Sequence, residues 1–345
     1  MVRTRKGWKD QGPCTIVDAN NAFFAGVNSY FLHTVPEEDQ RVVLMALQRA
    51  RVSAVRIFVA QVYQGSKGTN SSATADLEDG GVGVYDDSVL QLVDTLMARA
   101  LEYGIKLIVT MHDRWSLDST YTICDAYCHK FVISNSTTNK HNFYNNPEAT
   151  TTFDSRLARI ALHKNSLMGG KTWAELDTVI LAFEIENEAQ GTSGVADTSA
   201  FRNKEWWCDR ATALRHAIGN SRVLISTGGG QTFEESFIAE NFACKALDVV
   251  AGHSYSLEAA YVLKSLSAAS KLAHASGQQI WYEEFGVQVS NADANVRAKV
   301  ISGGGVLANT LRVSWMPWEV VNPNNQQDFE FWTTDALTWG AFSAA

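Results

Sequence analysis

"TVILAFEIENE", residues 178–188, decides how this chain is read. It begins as a buried strand, apolar without a break from Val179 to Phe183, and it ends with glutamates at 184, 186 and 188. Side chains alternate along a strand, so the three carboxylates face one way at intervals of roughly 7 Å. Like charges at that spacing in an apolar run are costly unless they are paired or partly protonated. The pattern suits a strand whose lower part lies in a core and whose last residues open into a site.

Seven more apolar runs rich in β-branched residues flank it, at 23–31, 54–60, 106–113, 222–229, 248–255, 279–286 and 312–320. Helical patterns fill most gaps, among them "EDQRVVLMALQRARV" after the first run and "DDSVLQLVDTLMARALEYG" after the second, with Asp86–Asp87 opening it and Gly104 ending it. A further pattern, "FDSRLARIALHKN", precedes the fourth run, and "SLEAAYVLKSLSAASKLAHASG" puts Glu258 in a first turn. Strict alternation of strands and helices means a parallel sheet with crossovers. Eight such units, roughly 37 residues each, close into a (β/α)8 TIM barrel. The rival is an open doubly wound sheet, but no Gly-x-Gly-x-x-Gly follows the first run. With no repeat and no linker, residues 1–345 are expected to form a single domain with long loops after strands 2 and 3, at 61–85 and 114–152. Both loops follow strands, on the face where barrels of this kind place their sites.

The 345 residues are 46% hydrophobic and 19% charged, ordinary for a globular protein, and no run is long enough to cross a bilayer. A net charge of −8 argues against nucleic acid or an anionic membrane as partner. Five cysteines, at 14, 124, 128, 208 and 244, leave at least one unpaired within the chain. "CDAYCH" (124–129) holds a lone Cys-x3-Cys-His, which suits a local disulfide or two free thiols better than a metal site. No signal peptide is visible at the N-terminus, while Asn70 and Asn135 head glycosylation sequons in polar stretches.

The C-terminal ends of the strands gather Asn28, Arg56, His112, Asn187 with Glu188, His253 with Tyr255, Glu284 and Trp318. Singly, each has a bland reading: a barrel counter-ion, a satisfied core histidine, a packed tryptophan. Together at one end of a barrel they make an active site. Glu188 and Glu284 end strands three steps apart round the ring, and two carboxylates across one cleft suit glycoside hydrolysis.

On these residues the chain resembles glycoside hydrolase family 5. "FEIENE" is similar to that family's Glu-x-x-Asn-Glu at the end of strand 4, and "YEEFG" to its Glu-Phe-Gly at the end of strand 7. Arg56, His112, His253, Tyr255 and Trp318 fall in family-like places over about 23–318. The resemblance implies a retaining hydrolase with no cofactor and no metal, acting as a monomer on a β-linked glycan. It makes Glu188 the acid/base, Glu284 the nucleophile and Asn187 the partner of the sugar 2-hydroxyl. Arg56 and Tyr255 would keep Glu284 ionised. His112 and His253 would bind sugar hydroxyls or position the acid, and Trp318 would floor the reacting sugar.

Among such enzymes the chain looks most like the β-mannanases, so endo-β-1,4-mannanase action is the first expectation, although "RIFVAQVY" lacks their tryptophan after Arg56. A β-glucan hydrolase and a carbohydrate-binding pseudoenzyme are the alternatives. Long loops walling off one end of the cleft would favour exo action, and a polysaccharide substrate suggests a secreted protein. Trp115, Trp206 and Trp207 are candidate outer sugar platforms, although neighbours on a helix cannot share one face. Glu184 matches the family's deeper, internally bonded glutamate. Glu186 departs from the pattern and is expected either to pair with a basic side chain such as Arg56 or to raise the pKa of Glu188. Glu283 falls on the opposite face by parity, as a bystander. A metal hydrolase built on His112, Asp113 and His253 is the remaining alternative.

Overall fold

The computed structural model describes residues 23–118, 124–132, 141–191, 203–322 and 328–345. Eight parallel strands follow one another in a single sheet: β1 (Gly26–Asn28), β2 (Ala54–Phe58), β3 (Lys106–Thr110), β4 (Ile180–Glu184), β5 (Leu224–Ser226), β6 (Val249–His253), β7 (Gln279–Glu284) and β8 (Ser314–Trp315). Neighbours in sequence are neighbours in the sheet, and a parallel bridge between Ala25 and Trp315 joins the last strand to the first. This is the (β/α)8 barrel expected from the alternation. The ladders are shorter than the apolar runs; beyond β3 and β4 pairing resumes in a single parallel bridge between Asp113 and Asn187.

Helix α1 (Glu37–Arg49) follows β1 and α2 (Ser88–Glu102) follows β2. Three helices follow β3: α3 (Ala126–Phe131), α4 (His141–Asn145) and α5 (Pro147–Ala161). Then come α6 (Trp206–Ile218), the short α7 (Phe233–Ser236) and α8 (Ala239–Ala243), α9 (Ala259–Ser276), α10 (Ala294–Leu311) and α11 (Ala336–Ala344). Helix α5 starts six residues before Phe153, where its apolar pattern begins. Asn146 caps it by accepting from the amides of Glu148 and Ala149, with Pro147 in the first turn. Glu258 stands at the N-cap position of α9, with no capping bond from its side chain, instead of lying in its first turn. Helix α10 carries Gly303–Gly305 mid-helix, where glycine is unfavourable, and a Cβ on Gly304 would stand 2.4 Å from Phe285.

The alternation of strand side chains divides the core in two. Phe24, Ala54, Ile108, Leu181, Ala182, Val249, Trp281 and Met316 fill the barrel interior. The larger cluster, with Val55, Leu107, Val109, Phe183 and Ile225, lies between strands and helices. Arg156 of α5 ties the long loops down: it bonds both carboxylate oxygens of Asp76, at 2.8 and 2.9 Å, and the carbonyls of Val59 and Met111.

Candidate active site

Arg56, fully buried on β2, organises the mouth. Its Nε donates to Glu184 at 2.7 Å, one terminal nitrogen to Asn28 (3.1 Å) and to Glu284, and the other to Asn187 at 2.9 Å, with Glu283 3.4 Å away. A planar fork of donors is what holds several acceptors in fixed directions. Glu184 lies deep, as expected, and takes a second bond from Thr110. Asn187 is held at its other end by Asp113, 2.9 Å from its amide nitrogen.

Glu188 and Glu284 face each other above this fork. Tyr255 donates to Glu284 at 2.8 Å, and the Trp115 indole donates to Glu188 at 2.8 Å. His253 stands between them, its Nδ1 3.4 Å from Glu188 and 3.5 Å from Glu284. One ligating atom from each of Glu188, His253 and Glu284 lies within 4.8 Å of the other two. Burial works to raise both carboxyls. At Glu188 the hydrogen bond and charge of His253, helped by Arg114 and Trp115, outweigh it and hold the group below its ordinary value. At Glu284 burial and the charge of Glu188 prevail over His253, Arg56 and Tyr255, and the group lies above its ordinary value. The Arg56 and Tyr255 contacts expected at Glu284 are present, but they do not overcome burial and the charge of Glu188.

"GGG" (228–230) follows β5 after Thr227, and two of those glycines let the chain approach its neighbours. Gly228, at φ 83°, lies so close that a Cβ would stand 2.3 Å from the Glu186 carbonyl, and its own carbonyl accepts from the Glu188 amide. A Cβ on Gly229 would stand 2.6 Å from His253 Nε2. Glu188 itself sits at φ 51°, a left-handed conformation rare outside glycine.

Four expectations need correction. Glu283 is no bystander: the register of β6 and β7 shifts between Gly252 and His253, so that His253 lies opposite Glu284. The shift aims both neighbouring glutamates inward, and Glu283 bonds His253 Nε2 at 3.0 Å. Glu186 does pair with a basic side chain, but that side chain is His112 and not Arg56: Glu186 bonds His112 Nδ1 at 2.6 Å and accepts from the Tyr144 hydroxyl at 2.8 Å. His112 also meets Asp125, at 2.7 Å, so both ring nitrogens are occupied by carboxylates and neither is left for a sugar hydroxyl. Its ring lies among Tyr127, Phe143 and Phe153. Trp206 and Trp207 are both fully buried, so neither forms a sugar platform. Trp115, by contrast, is partly exposed beside Glu188.

Trp318 is also partly exposed, and it stacks on Tyr30 with ring centroids 5.6 Å apart. The metal set of His112, Asp113 and His253 is not gathered, since the two histidines sit in separate carboxylate clusters. Cys124 and Cys128 form a disulfide, which removes them as metal ligands, and Cys208 pairs with Cys244 across α6 and α8. Cys14 and Asn135 lie outside the described residues. No helix among the described residues is long and apolar enough to cross a membrane.

Sequence inspection missed Arg114. It is fully buried, its three guanidinium nitrogens have no hydrogen-bond acceptor, and it lies 4.1 Å over the Trp115 ring. Its place beside the His112–Asp113 pair was the one available signal.

A (β/α)8 barrel with two carboxylates opposed across its mouth, one bonded by a buried arginine and the other by a tryptophan indole, defines a glycoside hydrolase. The chain matches the model of the GH family 5 beta-mannosidase-like group over residues 32–304 and belongs to that family. Mannan endo-1,4-beta-mannosidase A of Aspergillus aculeatus is 23% identical over 216 residues, 62% of this chain and 52% of that protein. The chain thus spans about half the length of the curated relative it matches. Among solved structures, the endo-1,4-beta-mannanase from Rhizomucor miehei superposes with a TM-score of 0.74 at 18% identity, covering 95% of this chain and 96% of that one. The family 5 mannosidase from the same organism superposes with a TM-score of 0.68 at 14% identity, covering 94% and 92%.

Proposed function

We propose that the protein hydrolyses β-mannosidic bonds with retention of configuration, Glu188 acting as acid/base and Glu284 as nucleophile. The observation that carries this is the approach of their carboxylate oxygens to within 4.8 Å. A retaining pair stands about 5–5.5 Å apart, whereas an inverting pair needs about 6.5–9.5 Å to admit water. Glu284 attacks the anomeric carbon as the bond to the leaving oxygen breaks, and that oxygen takes the proton of Glu188. Water then gives a proton back to Glu188 and its oxygen to the anomeric carbon, releasing Glu284.

The first step needs a proton on Glu188, a carboxyl that burial raises but His253 holds below its ordinary value. His253, with Nδ1 nearly equidistant from both carboxylates, is the group placed to exchange a proton with either. Positive charge developing on the sugar beside Glu284 favours the ionised form there. Asn187 holds the 2-hydroxyl with its remaining amide proton, and Trp318 lies under the ring.

Mannan as substrate rests on the family and on the activity named for the Aspergillus relative. Two disulfides fit an oxidising compartment, and Asn70 of the first sequon is exposed; both support secretion. The test is release of reducing ends from β-mannan, glucomannan, cellulose and β-1,3-glucan by the wild type and Glu284→Ala. Activity on the mannans that disappears in the variant is expected. Activity that survives Glu284→Ala, or that is confined to cellulose or β-1,3-glucan, contradicts the proposal.

A further inference from the structure

The chain leaves the regular ladder of β4 before it reaches the acid/base. The strand ends at Glu184, and the Glu186 amide lies 3.5 Å from the Thr227 carbonyl, longer than an ordinary hydrogen bond. Two left-handed residues follow, Glu188 at φ 51° and Gln190 at φ 59°. Outside glycine such conformations cost about 1–3 kcal/mol each and persist only where the surroundings hold them.

Part of the hold is backbone. The Asn187 amide bonds the His112 carbonyl at 2.9 Å, and the Glu188 amide bonds the Gly228 carbonyl at 3.1 Å. The buried side chain of Glu186 adds an anchor two residues before Glu188. One of its oxygens meets His112 Nδ1 at 2.6 Å and the other accepts from Tyr144 of α4 at 2.8 Å. His112 is held in turn by Asp125, 2.7 Å from Nε2.

Asp125 is pinned from three directions. Its other oxygen accepts from the Cys128 amide at 2.8 Å, its own amide donates to the Ser116 carbonyl at 3.0 Å, and the Cys124–Cys128 disulfide closes the chain around it. Ser116 belongs to the turn Arg114–Leu117, whose Trp115 indole donates to Glu188. The cluster therefore reaches Glu188 by two routes: through Glu186 in its own segment, and through the turn that carries its indole partner.

We propose that Asp125, His112, Glu186 and Tyr144 together position the acid/base, with the Cys124–Cys128 disulfide fixing the far end of the cluster. They act through Glu188 and Trp115 and not on the substrate. This rests on the acid/base assignment above, and it gives a role to Glu186, the glutamate that departs from the family pattern. A carboxyl that must deliver a proton to the leaving oxygen loses about 10²-fold in rate when it is misplaced by about 1 Å.

The test compares kcat/KM, which reports the step that breaks the glycosidic bond, on two substrates. β-1,4-Mannohexaose needs a proton on its leaving oxygen; the 2,4-dinitrophenyl glycoside of β-1,4-mannotriose does not. In Glu186→Ala the hexaose should lose about 10–100-fold and the dinitrophenyl glycoside little. Glu186→Gln, which keeps an acceptor for Tyr144, should recover part of the loss, and the Cys124→Ala/Cys128→Ala double variant should show the same selectivity on a smaller scale. Partial unfolding removes active protein and lowers both substrates alike, so the ratio of the two separates positioning from a merely structural role. Tyr144→Phe removes one bond, keeps the packing, and is read by the same ratio should Glu186→Ala not fold. A ratio unchanged from the wild type in the Glu186 and Tyr144 variants would overturn the proposal, and one unchanged in the double cysteine variant would overturn the disulfide's part in it. An unchanged ratio in Glu188→Ala would instead overturn the acid/base assignment beneath it, so the two failures are told apart.

Discussion

Burial would raise the Glu188 carboxyl, and His253, Arg114 and Trp115 together hold it down. Arg114 touches none of the reacting atoms. It stands behind the indole that donates to Glu188, where a cation on the ring face also makes the N–H a better donor. Arg114→Met removes that charge, so the basic limb of the kcat/KM profile should move to higher pH, and Arg114→Lys should restore part of the shift. A limb that stays in place in Arg114→Met would show the arginine to be structural only. Glu188→Ala should lower kcat on mannan by about 10²–10⁴, the usual contribution of a general acid. It should lose far less on an aryl mannoside whose leaving group needs no proton. Equal losses on both substrates would mean that Glu188 is not the acid. Glu188 and Glu284 were legible as the ends of two strands. Glu283 was not, because parity assumes an unbroken ladder and the register shifts at His253. The partners of Glu186 were equally hidden, since His112 follows β3 and Tyr144 comes from α4.

At the level of elements, the glycines after β5 are the least replaceable. Gly229→Ala drives a methyl into His253 Nε2, whose partner is Glu283. The expected result is a folded protein with reduced kcat and an altered pH profile, whereas an unchanged profile would mean that His253 takes no part in proton transfer. The Cys208–Cys244 bridge closes 36 residues between α6 and α8, against 4 for Cys124–Cys128. Loop-closure entropy predicts a loss of about 3–4 kcal/mol when both Cys208 and Cys244 become alanine, and about 2 kcal/mol for the shorter bridge. Denaturant titration of the two double variants checks the order, and a larger loss from the short bridge would refute it. Helices α1, α2 and α9 were legible because amphipathic periodicity and caps agree. The start of α5 was not, because "NNPEATT" reads as loop until its cap is seen. Local sequence likewise carries no sign of a disulfide partner 36 residues away.

For the whole molecule, the barrel was readable because eight apolar runs alternate with helices, a pattern that leaves few topologies. What the sequence left hidden is how charge is arranged around the barrel. Burial alone would lower His112, but Asp125 and Glu186 raise it to about 10, and Glu284, Glu188 and Glu283 raise His253 to about 10 against the same burial. Both exceed the unfolded value near 6.5, so their stabilisation is complete below about pH 6.5 and is lost as pH rises through about 10. Each contributes a slope of up to about 1.4 kcal/mol per pH unit in that window. Urea midpoints between pH 7 and 10 should therefore fall, and fall less steeply in His112→Gln; an unchanged slope in the variant would refute His112's share. The account as a whole depends on a covalent intermediate on Glu284. The most direct measurement is mass spectrometry of the protein after reaction with a 2-deoxy-2-fluoro-β-mannosyl fluoride, which slows release of that intermediate. One fluoromannosyl group on the peptide that holds Glu284 is the predicted result. Turnover that leaves no adduct, or an adduct on another residue, would contradict it.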